Sequence, residues 1–331
     1  MTRDRDEEQE YVRAGRRSRP RTKQRPDYSA SEIGHVLTID RGRFTCRIDA
    51  NDPVVVSATK ARELGKRSIV VGDRVRLVGD LTGEDGTLAR AVRVEPRRTE
   101  LRRTPDDDDP VERVVVANAD QLAIVVAVID PPARPRLIDR CLVAAFDAGM
   151  ESVLIVTKAD LADPAELIGL YEPLGVLVVV AGRDQPTDDV RAALAGRATV
   201  LVGHSGVGKS TLVNALVPEA NRATGDVNDN TGRGRHTSTS AVTLELPGGG
   251  EIIDTPGVRS FGLGHVRPDR VLAAFDDLTE ATAGCPRACP HTTGAPECGL
   301  DIAVAEGHLD ANRVASFRRL LDARVGGDEP D

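Results

Sequence analysis

The chemistry in this chain concentrates in three short stretches. Gly203-His204-Ser205-Gly206-Val207-Gly208-Lys209-Ser210-Thr211 follows an apolar run, Ala198–Val202, and opens a helix-forming stretch that reaches Leu216. It matches G-x-x-x-x-G-K-[ST] in the strand–loop–helix context that its chemistry requires. The glycines let backbone N–H groups turn inward around phosphates, and the helix N-terminus adds its positive dipole end. Lys209 reaches the β- and γ-phosphates in this pattern, and the Ser210 hydroxyl ligates Mg²⁺. Downstream, Glu251-Ile252-Ile253-Asp254-Thr255-Pro256-Gly257 offers a strand-end carboxylate to orient Mg²⁺ through water, and the Gly257 N–H to meet a γ-phosphate. Further on, Cys285-x3-Cys289-x-His291-x6-Cys298 gathers three thiols and one imidazole. That donor set makes a closed, tetrahedral Zn²⁺ site of structural type, with no open position for catalysis.

A base-reading loop accompanies the phosphate loop. Val156-Thr157-Lys158-Ala159-Asp160 resembles the N-K-x-D motif of GTPases, in which the Asp accepts hydrogen bonds from guanine N1 and N2. Thr157 stands where that motif has Asn, which removes an amide that helps hold the loop. Val180-Ala181-Gly182 occupies the place of the S-A-K-like guanine loop. The order is inverted relative to ordinary GTPases, because the Thr-Lys-Ala-Asp element precedes the phosphate loop by about fifty residues. Such an order defines a circularly permuted GTPase, and it places the chain leaving Asp254–Gly257 directly before the domain that follows.

Between phosphate loop and Asp254, the polar, glycine-rich stretch 224–239 reads as a mobile loop. Thr237 and Thr239 both qualify to complete the Mg²⁺ shell, and spacing does not choose between them. Val258 follows Gly257 where many GTPases carry a Gln that orients the attacking water. His236 is the best substitute, since imidazole can orient or accept a proton from water near neutral pH; an exposed loop histidine or an RNA contact is the competing reading.

The elements that position these groups follow from periodicity. Five short β-rich runs between Ile33 and Arg98, separated by turn glycines, fit a small closed barrel of the OB kind. Its one aromatic residue, Phe44, leaves little for base stacking. Arg97 to Pro110 reads as a linker whose charge flips from basic to acidic. Buried Val/Ile/Leu runs then alternate with helices at 136–149, 164–171 and 188–194, as in a parallel sheet covered on both faces. Asp269–Thr279 and Asp310–Arg324 read as helices flanking the cysteines, the second carrying Arg313, Arg318, Arg319 and Arg324 as either an rRNA-facing surface or a solvated face. The expected organisation is a disordered tail at 1–30, an OB-fold barrel at 31–100, a permuted α/β P-loop GTPase domain at 101–268, a helical zinc domain at 269–325 and a short disordered tail at 326–331.

Composition sets the outer limits. The chain has 331 residues, 40% hydrophobic and 29% charged, enough apolar material for folded cores. Its longest apolar run, Leu122–Ile129, is far below the roughly 20 residues of a membrane span, and its N-terminus lacks the apolar region of a secretory signal. Net charge is −8, and 39 of the 44 basic residues are Arg. GC-rich coding accounts for that excess at least as well as phosphate binding does. Arg16–Arg25 holds six basic residues and no acidic one, either an electrostatic arm for RNA or a solvated tail.

Taken in order, the barrel, Thr-Lys-Ala-Asp, Gly-His-Ser-Gly-Val-Gly-Lys-Ser, Gly-Arg-Gly-Arg-His-Thr, Asp-Thr-Pro-Gly-Val-Arg and the Cys₃His cluster closely resemble the ribosome small subunit-dependent GTPase A family. The resemblance covers residues from about 33 to 324. It implies a GTPase that acts late in small-subunit assembly, beside the Mg²⁺ and one structural Zn²⁺ expected from the motifs, the cytoplasmic location expected from composition, and an expected monomer. It also implies contact of the barrel and zinc domains with ribosomal RNA, GTP hydrolysis to GDP stimulated by the subunit, and a catalytic histidine at the place of His236. Two rivals are a passive RNA-binding scaffold, opposed by the intact Lys209, Ser210 and Asp254, and a metal-trafficking P-loop protein, opposed by the closed metal site.

Overall fold

The computed structural model describes residues 27–49, 52–65, 69–103, 113–182, 188–218, 241–255, 261, 263 and 266–325. Strands β1 (Glu32–Asp40), β2 (Arg43–Ile48), β3 (Val54–Lys60), β4 (Arg74–Gly79) and β5 (Ala89–Val94) form the barrel in the order β1-β2-β3-β5-β4, and β1 returns to pair with β4. Period-2 alternation drives each strand's orientation. On β2, Phe44, Cys46 and Ile48 are buried while Arg43 faces solvent.

The barrel is fixed to the next unit at two places. At the first, Gly72 (φ +86°) lies so close to the following chain that a Cβ there would sit 1.9 Å from the Ala117 carbonyl oxygen. Asn118 Nδ2 donates to the Gly72 carbonyl at 2.8 Å, and Asn118 Oδ1 accepts the Arg98 N–H at 2.8 Å. The stretch read as a linker is partly structured here: β6 (Glu100–Arg103) pairs antiparallel with β7 (Arg113–Ala117). Of the four residues in β6 only Leu101 is buried, so the strand owes its form to its partner rather than to its own pattern.

At the second place the barrel joins the α/β sheet edge to edge. Strands β8 (Gln121–Ala127), β9 (Glu151–Thr157), β10 (Leu177–Val180), β11 (Ala198–Gly203), β12 (Val242–Glu245) and β13 (Glu251–Asp254) lie in the order β10-β9-β8-β11-β13-β12. All neighbours are parallel except β12, which runs antiparallel to β13. Thr38 of β1 then pairs with Val242 of β12, so barrel and sheet are one hydrogen-bonded array of eleven strands. Arg47 reinforces the seam with contacts to Glu245 (2.5 Å) and Glu251 (3.6 Å).

Alternation along the parallel strands divides their side chains between two cores. Ala123, Val125 and Ala127 pack with α3 (Asp188–Leu194) and α4 (Lys209–Leu216). Ile124 and Val126 face α1 (Pro135–Asp147), α2 (Ala165–Tyr171) and the C-terminal helices. Those helices are α5 (Pro268–Leu272), α6 (Asp276–Ala281), α7 (Gly299–Ala305) and α8 (Ala311–Val325). The single helix expected over 269–279 is two, because the chain turns extended at Phe275 to bury that ring and α6 restarts on Asp276 and Asp277. Phe275 meets Phe146 of α1 and Phe317 of α8 edge-on, with centroids at 5.1 and 5.7 Å. One core therefore runs across the boundary expected at 268/269.

Candidate functional site

The phosphate loop lies at the carboxyl end of β11, in the middle of the sheet, where open α/β folds place their ligands. Gly203 ends the strand, Ser205 and Gly206 are exposed at the tip, and Val207 is buried beneath it. Gly208 caps α4 with φ +90°, a left-handed backbone that a side chain would strain. Lys209, Ser210 and Thr211 form the first turn of α4, with both hydroxyl residues exposed. β13 runs beside β11 with Asp254 opposite Leu201, and this register brings the Asp254 carboxylate into contact with Lys209 Nζ. The cation and the carboxylate expected to serve phosphate and metal are thus neighbours. The next residue, Thr255, is buried and donates its hydroxyl to the Leu201 carbonyl at 3.0 Å, anchoring the chain as it leaves the strand.

The Thr157–Asp160 loop comes to the same place from β9. Thr157 Oγ1 lies 2.5 Å from the Val207 carbonyl and 3.0 Å from the Val126 carbonyl. A hydroxyl has one proton, and the shorter contact ties the loop directly to the phosphate loop. The missing amide therefore has a replacement: the threonine hydroxyl performs the holding. Lys158, with φ +57°, donates from Nζ to the Asp130 carbonyl, and Asp160 is exposed beside it. The Ala181 N–H donates to the Val156 carbonyl at 2.8 Å, seating the following loop against β9. His236, Thr237, Thr239 and Gly257 lie outside the described residues, as do the two tails expected at the chain ends, save residues 27–30.

The cysteine cluster closes as its spacing implies. The donor atoms of Cys285, Cys289, His291 and Cys298 all lie within 4.8 Å of one another. His291 Nδ1 stands 3.7 Å from Cys285 Sγ and 3.9 Å from Cys298 Sγ. A tetrahedral zinc with bonds of about 2.0–2.3 Å has edges of about 3.6–3.8 Å, so the donor set fits. Burial, aided by Arg318, holds the His291 imidazole below its ordinary pKa and favours the neutral form that ligation needs.

The supporting contacts around the cluster were not legible as motifs. The Gly299 N–H donates to Cys285 Sγ at 3.0 Å. Arg318 binds Asp301 with two nitrogens, each at 2.8 Å, donates to the His291 carbonyl at 3.0 Å and approaches Cys298 Sγ at 3.9 Å. Three thiolates around a Zn²⁺ would leave one net negative charge, and this guanidinium lies beside the donors that would carry it. Arg313 likewise binds Asp277, and Arg319 binds Asp139. These three arginines of α8 are thus drawn into ion pairs that hold it to α6, α7 and α1. The side chain of Arg324 lies outside those described.

A phosphate loop, a carboxylate on the adjacent strand and a Thr-Lys-Ala-Asp loop that precedes both define a circularly permuted P-loop GTPase. Residues 94–264 match the family model described as RsgA GTPase. The Small ribosomal subunit biogenesis GTPase RsgA of Alcanivorax borkumensis is 36% identical, across 95% of this chain and 92% of its own length. The protein of the same name from Pseudomonas aeruginosa is 42% identical over 68% of each chain. Among solved structures, YjeQ from Thermotoga maritima aligns with a TM-score of 0.66 at 25% identity, covering 90% of this chain and 99% of its own. YloQ, a circularly permuted GTPase, aligns at 0.64 and 22% identity over 90% and 96%, a likeness of fold. The chain belongs to the RsgA GTPase family. Among the described residues no helix is long and apolar enough to cross a membrane.

Proposed function

We propose that this GTPase docks on the small ribosomal subunit late in its maturation, hydrolyses GTP on docking and then leaves, working as a cytoplasmic monomer without a membrane. The observation that carries the nucleotide reading is the 2.5 Å contact of Thr157 Oγ1 with the Val207 carbonyl, which joins the base-reading and phosphate loops into one site. The names borne by its relatives support the partner.

In this reading Asp160 accepts hydrogen bonds from guanine, with Thr157 and Lys158 holding its loop. Backbone N–H groups from Gly203 to Thr211 surround the phosphates, with Ser205, Gly206, Val207 and Gly208 forming the turn. Lys209 exchanges Asp254 for the β- and γ-phosphates when GTP enters. Magnesium would be held by the Ser210 hydroxyl, by Thr237 or Thr239, and by Asp254 through water, and would neutralise charge on the phosphates. The Gly257 N–H meets the γ-phosphate, and His236 orients the attacking water. Zinc, held by Cys285, Cys289, His291 and Cys298, would be structural. The barrel and the zinc domain contact ribosomal RNA.

The test is phosphate release from GTP and from ATP, with and without purified small subunits. Slow GTP turnover that rises many-fold only with small subunits is expected. A preference for ATP, or no stimulation, would overturn the reading. Lys209→Ala is expected to lose turnover and GTP-dependent subunit binding together; a variant that keeps both would show that the site is misassigned.

A further inference from the structure

Helix α1 carries two consecutive ionisable side chains inside the core, Asp139 and Arg140, each at most 2% exposed. Burying charge costs several kcal/mol unless contacts repay it, so what these two touch is informative. The Arg140 Nη2 donates to the Phe261 carbonyl at 2.6 Å. Phe261 is six positions beyond Thr255, the residue anchored at the end of the Asp254 strand, and it is itself 1% exposed. Phe261 also lines a small cavity of about 30 Å³ together with Gly203, His204 and Val207 of the phosphate loop. Asp139, one position earlier, accepts a hydrogen bond from Arg319 Nε of α8 at 2.9 Å. Arg319 in turn donates to the Leu170 carbonyl at 3.1 Å and lies over the Tyr171 ring. A single turn of α1 is therefore bonded on one side to Phe261, which shares a cavity with the phosphate loop, and on the other to the C-terminal helix.

We propose that Arg140 is a positioning residue for GTP hydrolysis: it fixes Phe261 beside the phosphate loop, and the adjacent Asp139–Arg319 pair makes that position responsive to the C-terminal helix. The inference rests on the GTPase reading of the site. It places the coupling between the metal-bearing lobe and the hydrolytic site in α1.

The experiment uses the full chain with Arg140→Met and Arg319→Met, measuring GDP affinity, turnover at saturating GTP and melting temperature. For Arg140→Met, GDP affinity within about twofold of wild type and turnover lowered by about tenfold or more are expected, the scale of misplacement rather than of lost contact. Unchanged turnover overturns the proposal. Should that variant not fold, Arg319→Met, whose side chain is 28% exposed, carries the test. It is expected to keep wild-type GDP affinity and basal turnover while losing about tenfold of the stimulated rate with small subunits, and an unchanged stimulated rate overturns the coupling. A wild-type protein that binds no GDP instead overturns the nucleotide assignment on which the inference stands.

Discussion

Thr157 shows how a departure from a motif is resolved by geometry at a single atom. Its hydroxyl and an asparagine amide share one capacity, a donor aimed at the phosphate-loop carbonyl, and Thr157 Oγ1 meets Val207 at 2.5 Å. Thr157→Ala leaves that buried carbonyl without its donor, at a cost of about 1–2 kcal/mol. GDP affinity should fall about five- to thirtyfold, and Thr157→Asn should restore most of it. Titration calorimetry with GDP decides the matter; an alanine variant that binds as tightly as wild type removes the hydroxyl from the site. The phosphate loop, the Thr-Lys-Ala-Asp loop and the cysteines were legible because each is local, a few residue types at fixed short spacing. Arg318 and Arg140 were not, since their partners include Asp301 and Phe261, 17 and 121 positions away, and no period relates them.

Among elements, α8 illustrates which force wins. Phe317, Leu320 and Leu321 are buried in the shared core, each contributing about 2 kcal/mol. The Arg313–Asp277 pair, with Asp277 40% exposed, is screened and worth well under that. Burial holds the helix, and the arginines set its register. The pairs also give a pH signature. A hydrogen bond from Arg313 holds the Asp277 carboxyl below its ordinary 3.8, and one from Arg318 does the same for Asp301. Each contribution is complete above the ordinary value and lost as pH falls through the folded one. Thermal melts from pH 6 down to 2.5 should therefore fall less steeply for the Asp277→Asn, Asp301→Asn double variant than for wild type. Parallel curves would mean that the pairs do not contribute. Most strands and helices were readable from hydrophobic period, because the sheet is buried on both faces. β6 and β12 were not, for Glu-Leu-Arg-Arg and Val-Thr-Leu-Glu are short and half polar, and become strands by pairing with β7, β13 and β1.

At the scale of the whole molecule, the core around α1 draws side chains from β8 to α8 and includes Cys298 itself. The metal lobe and the nucleotide lobe are thus mechanically one body, although the sequence divides them by composition. Removing zinc with a strong chelator should lower the melting transition of both lobes together, by about 5–10 °C. Differential scanning with a GDP-binding readout checks this. Loss of helix from residues 268–325 with no change in the temperature at which GDP binding fails would show two independent bodies instead.

The strand order β10-β9-β8-β11-β13-β12-β1 also carries a history of synthesis. A nascent chain folds its N-terminal units first, and here those are the barrel and the β8–β9–β10 half of the sheet, which end up as the two flanks of the array. The strands that fill the gap, β11, β12 and β13, are the last strands to be made, ahead only of the C-terminal helices. The array is consequently closed from its flanks inward, like an arch set by its final stones. Gly203, Lys209 and Asp254 all belong to that closing segment, so no growing chain holds a phosphate site before its outer framework exists.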